Sequence, residues 1–367
     1  MTDRAETTTA PRIDEEWIRT VPKAEVHVHL EGAFELIDLL ELAKAAGEPL
    51  PGPARSLFDI GTHHDFRVPT ITTGGAESGA GAGGLTGFLR FLDWECGLVR
   101  SPEQAARQAY AFAARQSASG IRYTDVIVNP THWRAWRGRL GDLLDAFAAG
   151  FEEAEHDGLC VVNLCVSILR QQTSEEAAEL ARWIVRTEPR RVVALSVDGD
   201  ERTMSRSGAR FAEAFGIARD AGLGRTVHAG ESSGPESVWD ALRLLHAQRI
   251  DHGVRAIEDA ALVAELASSG VSLGLCPRSN VSLGVTRSWA EHPFARLRDA
   301  GVTVTLNTDD PAPLGSTLVG DWALAAETFG FGRADLLALA ESSVNASFAS
   351  PDFKRDLLAE IRAIGTR

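Results

Sequence analysis

Residues 161–198 read VVNLCVSILRQQTSEEAAELARWIVRTEPRRVVALSVD, and this stretch decides the fold class. It opens on a nearly continuous apolar run, Val161–Leu169, and closes on another, Val192–Asp198. Short runs without clean polar alternation are how strands covered on both faces read. Between them, Ser174–Thr187 carries apolar residues at three- and four-residue spacing, behind a hydroxyl at Thr173 and acids at Glu175 and Glu176 that suit a helix start. Strand, helix and strand in that order make a parallel crossover unit.

Outward from this unit the alternation repeats. Strands are expected at Ala24–Leu30, Ile121–Asn129, Arg225–His228, Arg249–Gly253, Val271–Cys276 and Val302–Thr308. Helices are expected at Pro102–Ser117, Gly141–His156, Gly208–Ala221, Glu236–Ala247 and Asp259–Ser268. Gly-Pro at 234–235 opens a helix, and Gly222, Gly270 and Gly301 each follow one where a left-handed cap belongs. With the central unit the strands number eight, which predicts an α/β fold, a (β/α)8 TIM-type barrel, with additional helices at Ser316–Phe329 and Arg333–Ser342 and a helical tail. Such a barrel carries its chemistry at the carboxyl ends of the strands. Residues 1–13 read as a disordered N-terminal arm and residues 14–367 as one domain. Within that domain Thr70–Gly87, TITTGGAESGAGAGGLTG, reads as a disordered insertion or a mobile lid.

Composition narrows the function. The 367 residues are 44% hydrophobic, too apolar for a disordered chain, and the 51 acidic against 37 basic residues give a formal charge of −14. That charge repels nucleic-acid backbones and anionic membranes, so neither is expected as a partner. The four cysteines, Cys96, Cys160, Cys165 and Cys276, form no CxxC pair, and the polar start MTDRAETTTAPRIDEE has no apolar core of a secretory signal. The expectation is a cytoplasmic protein acting on a small molecule, with its oligomeric state left open.

Four segments fall at expected strand ends: His27-Val28-His29, His228-Ala229-Gly230-Glu231, Asp251-His252-Gly253 and Asn307-Thr308-Asp309-Asp310-Pro311. His27 and His29, two apart on a strand, face the same side. Alone they fit a hydrogen-bonded core pair as well as a chelate. With His228 and Asp309 from other strands they complete a His3Asp set for a divalent metal with room left for water. Glu231, three residues after His228, suits an acid or base beside that site, or a charge at a helix N-terminus. His252 is weak evidence by itself. Of the adjacent carboxylates Asp309 and Asp310, one can bind metal while the other faces a ligand.

Five motifs, PKAEVHVHLEG (22–32), TVHAGE (226–231), RIDHG (249–253), CPRSN (276–280) and LNTDDP (306–311), resemble in order and spacing the adenosine/adenine deaminase branch of the metal-dependent amidohydrolases. The resemblance runs from Pro22 to near the C-terminus. It implies a (β/α)8 barrel with one zinc ion that hydrolyses the 6-amino group of a purine. On that pattern His27, His29, His228 and Asp309 would bind the zinc, His29 and Asp309 also facing the reacting group. Glu231 would give a proton to N1, and His252 would orient the attacking water and help deprotonate it. Asp310 would bond N7 and the Gly199 N–H would bond N3. Glu31 stands where the nucleoside branch carries Asp and is more typical of the adenine branch; it is expected to point up toward the mouth. Asp198-Gly199-Asp200-Glu201 is closer to the nucleoside branch. The expected substrate is therefore adenosine or a related nucleoside, with adenine or a 5′-modified adenosine such as aminodeoxyfutalosine as the alternative. Two other classes stay open: an ester or lactone hydrolase on the same barrel, and a purine-binding protein without activity. The first commonly uses a carboxylated Lys, and none stands at the carboxyl end of the first four strands.

Overall fold

The computed structural model describes residues 13–54, 57–58, 85–204 and 206–365. The expected arm lies outside the described residues up to position 12, and the expected insertion at 70–87 does so up to position 84. Eight strands follow: β1 (Lys23–His29), β2 (Ile121–Val128), β3 (Val161–Leu169), β4 (Val192–Asp198), β5 (Gly224–Ala229), β6 (Arg249–His252), β7 (Ser272–Leu275) and β8 (Val304–Leu306). They pair in parallel in chain order, β1 beside β2 through to β7 beside β8. An isolated bridge between Val28 and Asp309 brings the end of β8 back to β1. The (β/α)8 barrel is the architecture.

Helix signals read from the sequence hold where a local bond carries them. Thr173 accepts from the Glu176 N–H at 3.2 Å and Glu176 accepts from the Thr173 N–H at 2.8 Å, a reciprocal cap on Ser174–Thr187. Pro235 opens Pro235–Arg243, which ends earlier than the expected Ala247 because the Leu245 and Ala247 amides turn back onto Asp240 and Ala241. The expected eighth strand is shortened at both ends. Past Leu306 side chains join the backbone bonds at this seam: Asn307 Oδ1 accepts from the Val26 N–H at 3.1 Å, and Glu25 Oε1 accepts from the Thr308 N–H at 2.9 Å.

The strands' outer faces pack on the helices through residues such as Val162, Leu164, Val166, Phe147, Phe151 and Ala177, all buried. The barrel interior is layered differently. Ile127, Cys165 and Ala194 form a small separate apolar cluster, with Phe348 packed against it. Beside it, fully buried Arg249 pairs with Asp125 at 2.8 Å and lies 3.4 Å from Asp251. A register shift in β1 sets what comes next: Glu25 pairs Thr124 and Val28 pairs Val126, so three steps on β1 oppose two on β2. Such a bulge re-aims side chains. Glu25 turns to Gln116 on the Pro102–Ala118 helix, whose Nε2 donates to it at 2.6 Å, while His27 points across the barrel to Gly274 and His228. No helix among the described residues is long and apolar enough to cross a membrane.

Candidate active site

At the carboxyl ends of β1 and β5 and just past β8, four donor groups converge. His228 Nε2 lies 3.2 Å from His27 Nε2 and 3.1 Å from His29 Nε2. Asp309 Oδ1 lies 3.3 Å from the first of these and 3.4 Å from the second. Tetrahedral ligands ~2.0–2.1 Å from a zinc ion stand ~3.3–3.4 Å apart, so this donor set fits a divalent metal. His252 belongs to the wider group, since one donor atom from each of His27, His228, His252 and Asp309 falls within 4.8 Å. It faces the other carboxylate oxygen, Asp309 Oδ2, at 3.8 Å, whereas His27 and His29 face Oδ1.

The surroundings orient these groups. His27 Nδ1 donates to the Gly274 carbonyl at 2.8 Å, which leaves the lone pair on Nε2 facing the cluster. Asp251 Oδ2 sits 3.6 Å behind His228 Nδ1 and is itself held by the Thr226 hydroxyl at 2.6 Å. Asp309 and His252 have φ of +67° and +65°, two of the five described non-glycine residues with positive φ. Such strain gathers at functional sites. For Asp309 it comes from the seam itself, where its N–H donates to the His27 carbonyl at 3.2 Å and its carbonyl accepts from the His29 N–H at 2.8 Å. Asp309 and Asp310 thus lie beyond β8, so no strand alternation fixes which way each points.

Burial and neighbouring charge set the protonation. Burial pushes His228 well below the usual imidazole value, and His27, His29 and His252 push the same way. Burial also lowers His27, but Asp251 and Asp309 outweigh it and raise that imidazole to about 9. Burial works against ionisation of Asp309, yet His27 and His252 hold it well below the carboxylate range. Glu231 is driven the other way: burial, Asp309 and Glu201 raise its carboxyl to about 8. Its Oε1 has no hydrogen-bond partner and lies 3.6 Å from His252 Nε2. The next helix starts at Pro235, so Glu231 is not a first-turn charge.

Asp310 is buried with Oδ1 unpartnered, and burial, Asp309 and Glu31 raise it well above its ordinary value. It lies against Gly32, where a Cβ would stand 2.1 Å from Asp310 Oδ1. Gly199, just past β4, has φ +99° and its carbonyl accepts from Arg170 Nε at 3.1 Å. Glu31 does not reach toward an open mouth. It starts a short 3₁₀ turn, is 1% exposed, and its Oε1 accepts from the Asn129 N–H at 2.8 Å and from Trp133 Nε1 at 2.7 Å. Its Oε2 has no partner.

The adenosine deaminase family profile matches residues 22–364. The chain belongs to the adenosine deaminase family. The match begins directly before β1 and takes in all eight strands, so every residue of the cluster lies inside it. Among relatives of this family, an adenine deaminase of Sinorhizobium fredii is 38% identical over 339 residues, covering 92% of this chain and 98% of its own. One of Rhizobium leguminosarum bv. trifolii is 35% identical with the same coverage. In structure, an adenine deaminase of Arthrobacter aurescens superposes with a TM-score of 0.84 at 26% identity, over 95% of this chain and all of that one. An amidohydrolase of Burkhoderia ambifaria with bound zinc gives 0.82 at 25% identity, over 99% and 96%.

Several residues of the site carried no sequence signal of their own. Arg170 and Glu201, both fully buried, pair at 3.4 Å under the β5 loop. Arg170 also donates to the His228 carbonyl, and Glu201 accepts from the amides of Gly230, Glu231, Ser232 and Ser233 at 2.9–3.1 Å. Asn280, inside the motif CPRSN, and His292 connect to the back of His252. Glu95 is fully buried with neither oxygen partnered, beside Asp310 and Glu31. A buried acid with no motif around it is visible only once the fold is known.

Proposed function

We propose that this chain hydrolyses the 6-amino group of a purine to the 6-oxopurine and ammonia, with free adenine as the purine it takes. His27, His29, His228 and Asp309 would hold one zinc ion. Bound there, the ion supplies the Lewis acidity that makes water a nucleophile near neutral pH. Glu231 carries the reaction reading: a carboxyl kept protonated toward neutral pH, with a free oxygen at the edge of the donor set, can give its proton to N1 and make C6 electrophilic. Asp310, whose carboxyl is raised well above its ordinary value by burial, Asp309 and Glu31, would offer a donor to N7, and the Gly199 amide would serve N3. His252 orients the attacking oxygen.

Glu31 carries the choice of substrate. Asn129 and Trp133 take its Oε1, while its Oε2 is buried and lacks a hydrogen-bond donor. The N9–H of free adenine is such a donor; a nucleoside has none at that position. The names of the bacterial relatives agree. The segment Asp198–Glu201 weighs less toward a sugar than its sequence suggested, because Asp198 accepts from Asn129 Nδ2 at 2.5 Å and Glu201 holds the β5 loop.

The test is a panel of adenine, adenosine, 2′-deoxyadenosine and 5′-modified adenosines, read by ammonia release and by the ultraviolet change from 6-amino to 6-oxo. Adenine should lead by orders of magnitude. A nucleoside that outpaces adenine would overturn the substrate and leave the reaction standing. No turnover of any 6-aminopurine by zinc-loaded protein would overturn the reaction.

A further inference from the structure

His252 turns Nε2 toward Glu231 and Asp309, and the nitrogen that carries hydrogen decides what the ring can do there. That choice is made outside the site. The backbone N–H of Phe294 can only donate, and it donates to His292 Nδ1 at 3.2 Å. His292 Nδ1 therefore holds a lone pair, so its Nε2 bears the hydrogen and donates to Asn280 Oδ1 at 3.0 Å. With its oxygen engaged, Asn280 presents Nδ2 to His252 Nδ1 at 3.3 Å, and that nitrogen must accept. Neutral His252 is left with its hydrogen on Nε2.

The three side chains are buried, at 3%, 0% and 2% exposure for His292, Asn280 and His252. The Val285 and Thr286 amides fix Asn280 further by donating to its carbonyl at 2.8 and 3.1 Å. Rotating the Asn280 amide by half a turn would set N–H against N–H at His292 and a carbonyl against a lone pair at His252.

We propose that Asn280 and His292 are positioning residues that fix His252 as the Nε2–H tautomer, so that His252 donates a hydrogen bond to the oxygen attacking C6 and does not take a proton from it, that proton passing to the Asp309 carboxylate, whose Oδ2 His252 also faces. This keeps the orienting role that the family resemblance implies and drops the proton-accepting one. Its consequence for turnover rests on the deaminase reading; the tautomer itself does not.

The experiment is nitrogen NMR of the histidine rings in 15N-His-labelled protein, with His252 assigned by His252→Gln, in metal-free and zinc-loaded samples. Wild type should show Nδ1 without hydrogen and Nε2 with it. Asn280→Asp offers only acceptors and should put hydrogen on Nδ1. His292→Phe should give a mixture of tautomers, whereas His292→Gln, which can still donate to Asn280, should restore the wild-type pattern. Zinc content should be unchanged in all three. kcat for the purine should fall ~10–100-fold in Asn280→Asp and His292→Phe with KM nearly constant, the usual cost of losing an outer partner. Wild-type His252 with hydrogen on Nδ1, or Asn280→Asp with Nδ1 still bare, overturns the proposal. A wild-type pattern as expected in a protein that deaminates no purine leaves the relay standing and removes the deaminase reading.

Discussion

Glu231 loses its water on burial and faces Asp309 and Glu201, and all three effects oppose its ionisation, raising the carboxyl to about 8. As a proton donor it works only while protonated. Turnover should therefore persist at neutral pH and fall as pH rises through the folded value, which a divalent cation nearby would draw lower. The measurement is kcat against pH for zinc-loaded protein. An alkaline limb present in wild type and a residual rate without that limb in Glu231→Gln is the expected result. Gln keeps the shape but has no such proton, so kcat should fall ~10²–10⁴-fold with zinc retained; near-normal turnover would remove Glu231 from the role. Glu31 gives a second expectation. If its Oε2 accepts the N9–H, Glu31→Ala should cost adenine ~1.5–3 kcal/mol in kcat/KM, the worth of a buried charge-assisted bond, and change adenosine little. An equal loss on both substrates would mean the carboxyl serves only Asn129 and Trp133.

Where the β5 loop leaves the barrel, four consecutive amides hang from one carboxylate, Glu201, and that carboxylate's buried counter-ion is Arg170. The same guanidinium donates to the carbonyls of His228 and Gly199. One ion pair thus ties β3, β4 and β5 at the site. Glu201→Gln removes the carboxylate that Arg170 pairs with, and breaking such a buried pair costs ~3–5 kcal/mol; urea unfolding should show that loss together with lower kcat. Loss of stability with normal kcat would make the pair structural only. Gly32 is tested the same way. Its φ of −88° suits any residue, so Gly32→Ala acts only through the methyl that would stand 2.1 Å from Asp310 Oδ1, and purine kcat/KM should fall while zinc stays bound. The contrast between these elements explains what the sequence could show. His27, His29, His228, Asp309, Glu231 and His252 are reactive residue types at strand ends, and type plus position was enough to group them. Arg170, Glu201, Asn280 and His292 act through the direction of hydrogen bonds, and residue spacing carries no direction. The orientation of Glu31 also escaped, because it depends on Asn129 and Trp133, 98 and 102 residues away.

At the scale of the molecule, the eight-strand alternation was legible because strands buried on both faces and helices with one apolar face leave different periods in the sequence. The eight strands also predicted a closed barrel; what they did not show is how the seam is made, because β8 has only three residues and its join to β1 is completed by side chains and by Asp309 itself. That coincidence couples the metal to the barrel. His27 and His29 on β1 each lie 3.1–3.4 Å from His228 on β5 and from Asp309 past β8, so a cation held by them would cross-link the two sides of the seam. Without one, burial and then the neighbouring His27, His29 and His252 oppose a charge on His228. An ion that binds only the folded chain stabilises it by ~4 kcal/mol when it exceeds its dissociation constant a thousandfold. Chelation should therefore lower the melting temperature by several degrees, and zinc should restore it. The loss should be local first. Hydrogen exchange at the amides of Val26, His29, Thr308 and Asp309, which form the seam, should quicken well before that of the continuous β2–β3 ladder. Metal analysis of protein purified without chelator should give close to one ion per chain, and His228→Ala should lose most of it. Among the described residues the one compact group of metal-ligand types is His27, His228, His252 and Asp309, at this same site, and Lys23 stands at the amino end of β1, away from it, with Nζ bound to the Ile18 and Val21 carbonyls. Two ions per chain, or exchange that rises uniformly over the barrel on chelation, would break the link between the donor set and the seam.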